Sequence, residues 1–182
     1  MAIYKENISD YTMAEGVRMS LHIVLFQPEI PQNTGNIART CAAVGATLHL
    51  VHPLGYSLSD RYLKRAGMDY WHLVKVKEYQ NNKDFFDQHQ EDNLFFFTKK
   101  ARICYCEVTY PEETYLIFGR ESVGLDESLI RMKKESCIRI PMIEQARSLN
   151  LSNSAAIAAY EYLRQHDFAL LQRYDHTFDW GA

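Results

Sequence analysis

The sequence lacks the glycine-rich signatures of several large enzyme classes. It has 8 glycines in 182 residues, and they form neither a G-x-G-x-x-G turn nor a G-x-x-x-x-G-K-[ST] phosphate loop. A G-x-S-x-G nucleophile turn is also absent. These absences disfavour a dinucleotide-dependent dehydrogenase, a P-loop nucleotidase and an α/β hydrolase. With seven histidines along the chain, a catalytic triad assembled in three dimensions stays open.

Cysteine is scarce and shows no metal-binding spacing. The four cysteines form no C-x-x-C pair. Cys104 and Cys106 lie two residues apart, and His49 and His52 lie three apart, but neither pair continues into a zinc spacing. We therefore expect no metal site, and we expect reduced thiols of the kind found in the cytoplasm.

Long apolar runs and a strong net charge are missing too. No run approaches the roughly 18 apolar residues of a membrane helix, and the first twenty residues carry charges where a signal peptide would be apolar. We therefore expect a cytoplasmic protein without a membrane partner. The net charge of −3 does not indicate nucleic-acid binding, so an RNA partner would require locally clustered basic residues.

Apolar segments of strand length alternate with helical segments along the chain. Strands are predicted at residues 21–26, 48–51, 73–76, 94–97, 115–118 and 137–140, and helices at 33–44, 60–67, 81–89, 126–132 and 152–166. Strands that are apolar throughout are typical of a mostly parallel sheet with helices on both faces. With 47% hydrophobic residues, one domain is predicted at 21–168. An N-terminal extension (1–20) and an aromatic tail (169–182) flank it.

Three stretches share one pattern, in which a strand end leads through a polar loop into a helix start. They read NTGNIAR (33–39), IFGRESVGL (117–125) and IRIPMIEQARSLNLSNS (138–154). Ligand sites of open α/β sheets form where strand ends meet such loops. We therefore expect the three loops to converge on one site.

Each polar residue in these loops also has an ordinary structural explanation. Arg39 could be a helix-surface residue in an ion pair, and Asn33 a helix cap. Glu121 could be an acidic residue favoured by a helix dipole, while Ser148 and Asn150 could be turn formers. The basic clusters at 61–65, 99–102 and 131–134 could likewise be solvated faces, although aromatic residues beside the first could stack on bases.

Four segments in order carry a family resemblance: PEIPQNTGNIAR (28–39), RAGMDYW (65–71), IFGRESVGL and IRIPM…RSLNLSNS. Over residues 21–166 the chain resembles the SPOUT class of RNA methyltransferases. It is most similar to the small TrmL (YibK) group, which methylates the ribose 2′-oxygen of the tRNA wobble nucleotide, cytidine or uridine 34. The resemblance implies a C-terminal trefoil knot, which the general rule against knots would not predict. It also implies a homodimer that completes the site, and S-adenosylmethionine as cofactor, with S-adenosylhomocysteine as product.

The resemblance assigns roles by position. The implied cofactor contacts are Phe97, Gly119, Ile140, Met142, Ser148 and Leu149. The implied catalytic residues are Arg39, Glu121, Ser148 and Asn150. The candidate RNA contacts are Asn33, Arg61, Lys64 and Arg65. These types suit the roles, because adenine needs apolar walls and backbone hydrogen bonds, and a glycine allows the backbone close.

Two other functions remain open. One is a 2′-O-methyltransferase of the same class acting on another RNA, such as ribosomal RNA, although the length leaves no room for the additional RNA-binding domain that such enzymes often carry. The other is a catalytically silent knotted RNA-binding protein. The joint presence of Arg39, Glu121, Ser148 and Asn150 argues against the silent protein.

Overall fold

The computed structural model describes residues 19–58, 71–169 and 171–174. Its strands are β1 (Ser20–Phe26), β2 (Thr47–Val51), β3 (Val76–Tyr79), β4 (Leu94–Phe97), β5 (Ile103–Cys104), β6 (Glu113–Phe118) and β7 (Cys137–Arg139). Its helices are α1 (Pro31–Val44), α2 (Asn82–Gln88), α3 (Glu127–Met132) and α4 (Leu151–Gln165), with 3₁₀ turns at Trp71–Leu73 and Lys134–Ser136.

The seven strands form one sheet in the order β3-β2-β1-β6-β4-β7-β5. Every neighbouring pair is parallel, and in the centre Leu25 of β1 lies opposite Leu50 of β2 and Phe118 of β6. Helices pack on both faces, so the predicted architecture is confirmed. The trefoil knot stays a prediction.

Two apolar layers flank the sheet. The first, which includes Ile23, Leu25 and residues of α1 and α4, covers one face. The second, which includes Val24, Phe26 and residues of α2 and α3, covers the other. Because successive β1 side chains enter opposite layers, the strand is apolar at almost every position.

The helices against the first layer begin and end where their sequences allow it. In α1, Pro31 stands in the first turn, where its missing N–H costs little, and Gly45 ends the helix in the left-handed conformation at φ 72°. In α4, Ala155, Ala158 and Ala159 are fully buried. Their small side chains let α4 lie close against α1 and the sheet.

Two local predictions are wrong. Neither Asn33 nor Thr34 caps α1, because the helix already begins at Pro31 and both residues are buried in its first turn. The strand predicted at 73–76 is displaced along the chain, because Leu73 ends a 3₁₀ turn and β3 runs from Val76 to Tyr79. As an edge strand with half-exposed and exposed residues, β3 has a weak apolar signal. The helix predicted at 60–67 lies outside the described residues.

A chain of hydrogen-bonded polar side chains lies on the face of the sheet that α2 covers. His22 Nδ1 lies 2.8 Å from His49 Nε2, and His49 Nδ1 lies 2.8 Å from the Tyr79 hydroxyl. That hydroxyl lies 2.9 Å from His89 Nε2, and His89 Nδ1 contacts the Asp92 carboxylate. The chain links β1, β2 and β3 to the segment after α2.

Because the strands are parallel, their carboxyl ends meet at one edge of the sheet. The segments after β1, β4, β6 and β7 all leave from that edge, where a ligand site is expected.

At the far end of the chain, Phe168 and Leu171 pack against the first apolar layer. The division into extension, domain and tail stays a prediction, since most of the extension and tail lies outside the described residues. In the described ranges, no helix has the length and apolarity needed to cross a membrane.

Candidate functional site

The segments at this edge enclose a cleft of about 810 Å³, within the usual range for small-molecule sites. Its walls come from the start of α1, from residues 97–100 after β4, from residues 118–125 after β6 and from residues 140–151 after β7. The structure thus brings together the three loops that the sequence pattern pointed to, and adds the segment after β4.

One wall of the cleft is apolar and aromatic. Phe97 stacks on the buried Phe118 with ring centroids 4.7 Å apart, and Ile140 and Met142 line the same cleft. Leu149 lines it too, yet 38% of its surface is exposed. This wall offers apolar area that an aromatic ring could cover.

The loop after β7 leaves its backbone open. Among the described residues, the only backbone–backbone hydrogen bond donated from residues 140–149 runs from Ala146 N–H to the Ile143 carbonyl, at 3.0 Å. The loop is fixed from outside by Lys99, whose Nζ donates to the Arg147 carbonyl at 3.3 Å. Open amides and carbonyls beside an apolar wall fit the adenosine of S-adenosylmethionine, the cofactor implied by the resemblance.

Glu121 joins the loop after β6 to the start of α1. Its carboxylate accepts hydrogen bonds from the backbone N–H of Glu29 at 2.8 Å and of Ile30 at 3.2 Å, and from Asn33 Nδ2 at 3.0 Å. A carboxylate at this helix end is favoured by the positive N-terminal dipole. The Glu121 carboxylate therefore interacts with the N-terminal dipole of α1, and not with the dipole of a helix that follows Glu121 in the sequence.

Glu29 returns the interaction in the opposite direction. Its carboxylate accepts from Ser122 N–H at 2.9 Å and from the Ser122 hydroxyl at 2.8 Å. These hydrogen bonds, the hydroxyl first, lower the pKa of Glu29 below its usual value, because they favour the ionised form. The segment before α1 and the loop after β6 therefore each supply a carboxylate that accepts hydrogen bonds from the other.

Asn150 connects the cluster to α4. Its Oδ1 accepts from Ser152 N–H at 2.8 Å and caps the helix, while its Nδ2 donates to Asn33 Oδ1 at 2.9 Å. Asn33, with 5% of its surface exposed, donates in turn to Glu121. The amides of Asn33 and Asn150 therefore hold three loops together.

Gly119 is required by the turn itself. A Cβ atom there would lie 2.2 Å from the Gly124 carbonyl carbon and 2.3 Å from Leu125 N, and the turn closes through Gly124 N–H to the Arg120 carbonyl at 2.8 Å. This internal contact requires a glycine at position 119, and the cofactor contact expected of Gly119 stays a prediction.

The structure brings together most of the predicted site residues. The cleft is lined by Asn33, Phe97, Gly119, Glu121, Ile140, Met142, Ser148, Leu149 and Asn150. Arg39 is exposed on α1 and does not line this cleft; it lies six residues, or about 9 Å along the helix axis, beyond Asn33. Arg61, Lys64 and Arg65 lie outside the described residues.

Sequence reasoning missed Glu29 and Ser122. The only local signal for Glu29 was its position as an acidic residue between a strand end and a helix start. Acidic residues at such positions are also typical of solvent-exposed loops, so this signal does not indicate a site residue. Within the described ranges, no group of three or more His, Cys, Asp or Glu is placed to hold a metal ion.

Comparison with known proteins gives consistent matches. The SpoU rRNA Methylase family matches residues 20–160. A relative from Methylovorus glucosotrophus, named tRNA (cytidine(34)-2′-O)-methyltransferase, is 45% identical over 148 residues, which cover 81% of this chain and 96% of the relative.

Two solved structures share the fold. One, which concerns the 2-OH methylation of C/U34 on tRNA, is 42% identical with a TM-score of 0.77, over 83% of this chain and 99% of that chain. The other is an AdoMet-bound rRNA methyltransferase from Sinorhizobium meliloti. It is 26% identical with a TM-score of 0.71, over 80% of this chain and 56% of that chain.

Proposed function

The chain belongs to the SpoU rRNA methylase family, and from this premise we propose that it is an S-adenosylmethionine-dependent tRNA 2′-O-methyltransferase. It methylates the ribose 2′-hydroxyl of cytidine or uridine at wobble position 34. One observation carries the proposal: the chain covers 96% of a relative, 45% identical to it, that is named for this reaction. The cytoplasm is the proposed location, because the substrate is tRNA, and no metal is required.

The cleft residues bind the cofactor and orient the reactants. When bound, S-adenosylmethionine supplies an activated methyl group and becomes S-adenosylhomocysteine. Phe97, Ile140 and Met142 form the apolar wall for the adenine, and the open backbone of residues 140–149 supplies its hydrogen bonds. Positioning of this kind lowers the barrier by holding the reacting atoms in line.

Arg39 orients the ribose hydroxyl or an adjacent phosphate. A free guanidinium remains protonated up to about pH 12, so positioning is chemically easier for it than proton abstraction, and the hydroxyl proton leaves to water after the carbon–oxygen bond forms. Because Arg39 does not line the cleft of its own subunit, we propose a homodimer in which it serves the partner's cleft. Arg61, Lys64 and Arg65 are the proposed contacts to the tRNA backbone.

A methyl-transfer assay tests the reaction. Purified protein is incubated with radiolabelled S-adenosylmethionine and unmodified bulk tRNA, and the labelled nucleotide is identified by nuclease digestion and mass spectrometry. We expect label only in 2′-O-methylated nucleotide 34. The Arg39→Ala variant is expected to bind the cofactor normally but to lose most transfer.

The other outcomes separate the alternatives. Label in ribosomal RNA but not in tRNA would overturn the substrate and retain the chemistry. Cofactor binding without transfer to any RNA would indicate the silent RNA-binding protein.

A further inference from the structure

We infer that Glu29 is a positioning residue for the methyltransferase reaction, because it locks the loop of residues 119–125 into the shape that forms one wall of the cofactor cleft. The inference rests on the proposed function. Glu29 is not among the residues lining the cleft, so it acts through Ser122, which does line it.

The lock consists of two reciprocal interactions between segments more than 90 residues apart in sequence. The Glu29 carboxylate accepts both hydrogen bonds that Ser122 offers, and the Glu121 carboxylate accepts the N–H of Glu29 itself. Removing the Glu29 carboxylate leaves the loop after β6 joined to the start of α1 through the three hydrogen bonds that Glu121 accepts. Ser122, the next residue, would then lose the acceptor that holds it in place.

Packing behind Glu29 keeps its backbone in place. A Cβ atom on Gly55 would lie 2.7 Å from Glu29 Cα and 2.8 Å from its carbonyl oxygen. Gly55 N–H also donates to the Pro28 carbonyl at 2.9 Å. The 28–29 backbone is therefore held against Gly55, and this fixes the position of the backbone that carries the Glu29 side chain.

The middle of the loop needs such support. Within the part of the chain that the structure describes, the loop backbone closes on itself only between Arg120 and Gly124, and the Arg120 guanidinium pairs with Asp126 at 3.0 Å. These contacts hold the ends of the turn. Ser122 lies at the exposed middle, and the Glu29 carboxylate is what fixes it.

Isothermal titration of S-adenosylmethionine into RNA-free protein tests the inference. We expect Glu29→Ala to weaken cofactor binding on the order of tenfold, because hydrogen bonds to a charged acceptor are lost. Glu29→Gln should recover part of the affinity, since an amide oxygen still accepts from Ser122 N–H. Ser122→Ala, which removes only the hydroxyl, should give a smaller loss.

Two readouts distinguish positioning from a general structural role. In steady-state assays, Glu29→Ala should raise KM for S-adenosylmethionine more than it lowers kcat, with an unfolding temperature close to that of wild type. The losses from Glu29→Ala and Ser122→Ala should not add in the double variant, because both remove the same contact. Glu91→Ala, at an exposed glutamate far from the cleft, is the matched control.

The failures are separable. If wild type binds the cofactor and Glu29→Ala matches it in Kd and KM, the positioning role is wrong. Should Glu29→Ala fold poorly, wild-type affinity in both Glu29→Gln and Ser122→Ala would overturn the inference equally well. If wild type itself fails to bind S-adenosylmethionine, the proposed function falls first, and this role falls with it.

Discussion

Single amide side chains carry two tasks each in this site. Asn150 caps α4 through its oxygen and reaches Asn33 through its nitrogen. An amide is suited to this because it presents an acceptor and a donor at once. A substitution that keeps the oxygen of Asn150 but removes its nitrogen can therefore distinguish the contribution of Asn150 to helix stability from its contribution to the geometry of the site.

The pair Asn150→Ala and Asn150→Asp performs this separation. Alanine removes the cap and should cost roughly 1 kcal/mol in the free energy of unfolding. Aspartate is as good a cap as asparagine, so it should keep the stability while losing the bond to Asn33. We expect both variants to be poor methyltransferases but only alanine to be destabilised, as measured by urea unfolding beside the methyl-transfer assay. Full activity in Asn150→Asp would show that the Asn33 contact is dispensable.

At the scale of secondary-structure elements, the hydrogen bonds of the buried histidine chain run in one direction from donor to acceptor. An ionised Asp92 can only accept, so His89 donates to it through Nδ1 and accepts from Tyr79 through Nε2. The Tyr79 oxygen then accepts from His49 Nδ1, and His49 Nε2 accepts from His22 Nδ1. In this arrangement His49 Nε2 is an acceptor, so a further proton on His49 would break its link to His22, which joins β2 to β1.

Stability should therefore fall with acidification. Burial, more than the neighbouring charges, lowers the pKa of His22 to about 4 and that of His49 to about 2. Unfolded histidine titrates near 6.5, so the unfolded chain binds more protons below that pH. The stabilising effect is fully present above pH 6.5 and is lost as pH falls from 6.5 through the folded-state pKa values, about 4 for His22 and about 2 for His49. At about 1.36 kcal/mol per pH unit, each of the two histidines should contribute a loss of roughly 3 kcal/mol in the free energy of unfolding between pH 7 and pH 4.

Urea unfolding at a series of pH values measures this loss. Replacing His49 by Gln should lower stability at pH 7 but flatten its decline in acid. The exposed His72, replaced by Gln, serves as the control and should leave the profile unchanged. An equally steep decline in His49→Gln and wild type would assign the acid sensitivity to other groups.

On the scale of the whole molecule, the proposed active site needs two subunits. Arg39 is exposed on α1, while Asn150 lines the cleft of the same chain. If Arg39 acts on the partner's cleft, two inactive variants can complement each other in a mixed dimer. A closed two-fold dimer would then carry two such composite sites.

Mixing Arg39→Ala with Asn150→Ala tests this arrangement. After subunit exchange, half of the dimers are mixed, and each mixed dimer has one intact site, so roughly a quarter of wild-type activity should return. Each variant alone stays nearly inactive and provides the baseline. No recovery, with exchange verified by differently tagged subunits, would place Arg39 in its own subunit's site.

The local features of this protein follow from its amino-acid sequence alone. The apolar runs identified most strands, because a parallel strand buries both of its faces, and the loops at 117–125 and 138–154 pointed to the cleft. Pro31, Gly45 and Asn150 mark helix ends through properties of single residues. The roles of the site residues that line the cleft were predicted through the resemblance to a known family, because most of these residues lie in segments that match it.

Which loops hold one another depends on how the chain folds in three dimensions. Glu29 meets Ser122 across 93 positions, and Asn33 meets Asn150 across 117. Local periodicity reports whether a residue is buried, but it holds no information about the strand order that places β1 beside β6. The reciprocal carboxylates, the histidine chain and the position of Arg39 outside the cleft all depend on that order, so none of them could be predicted from the sequence.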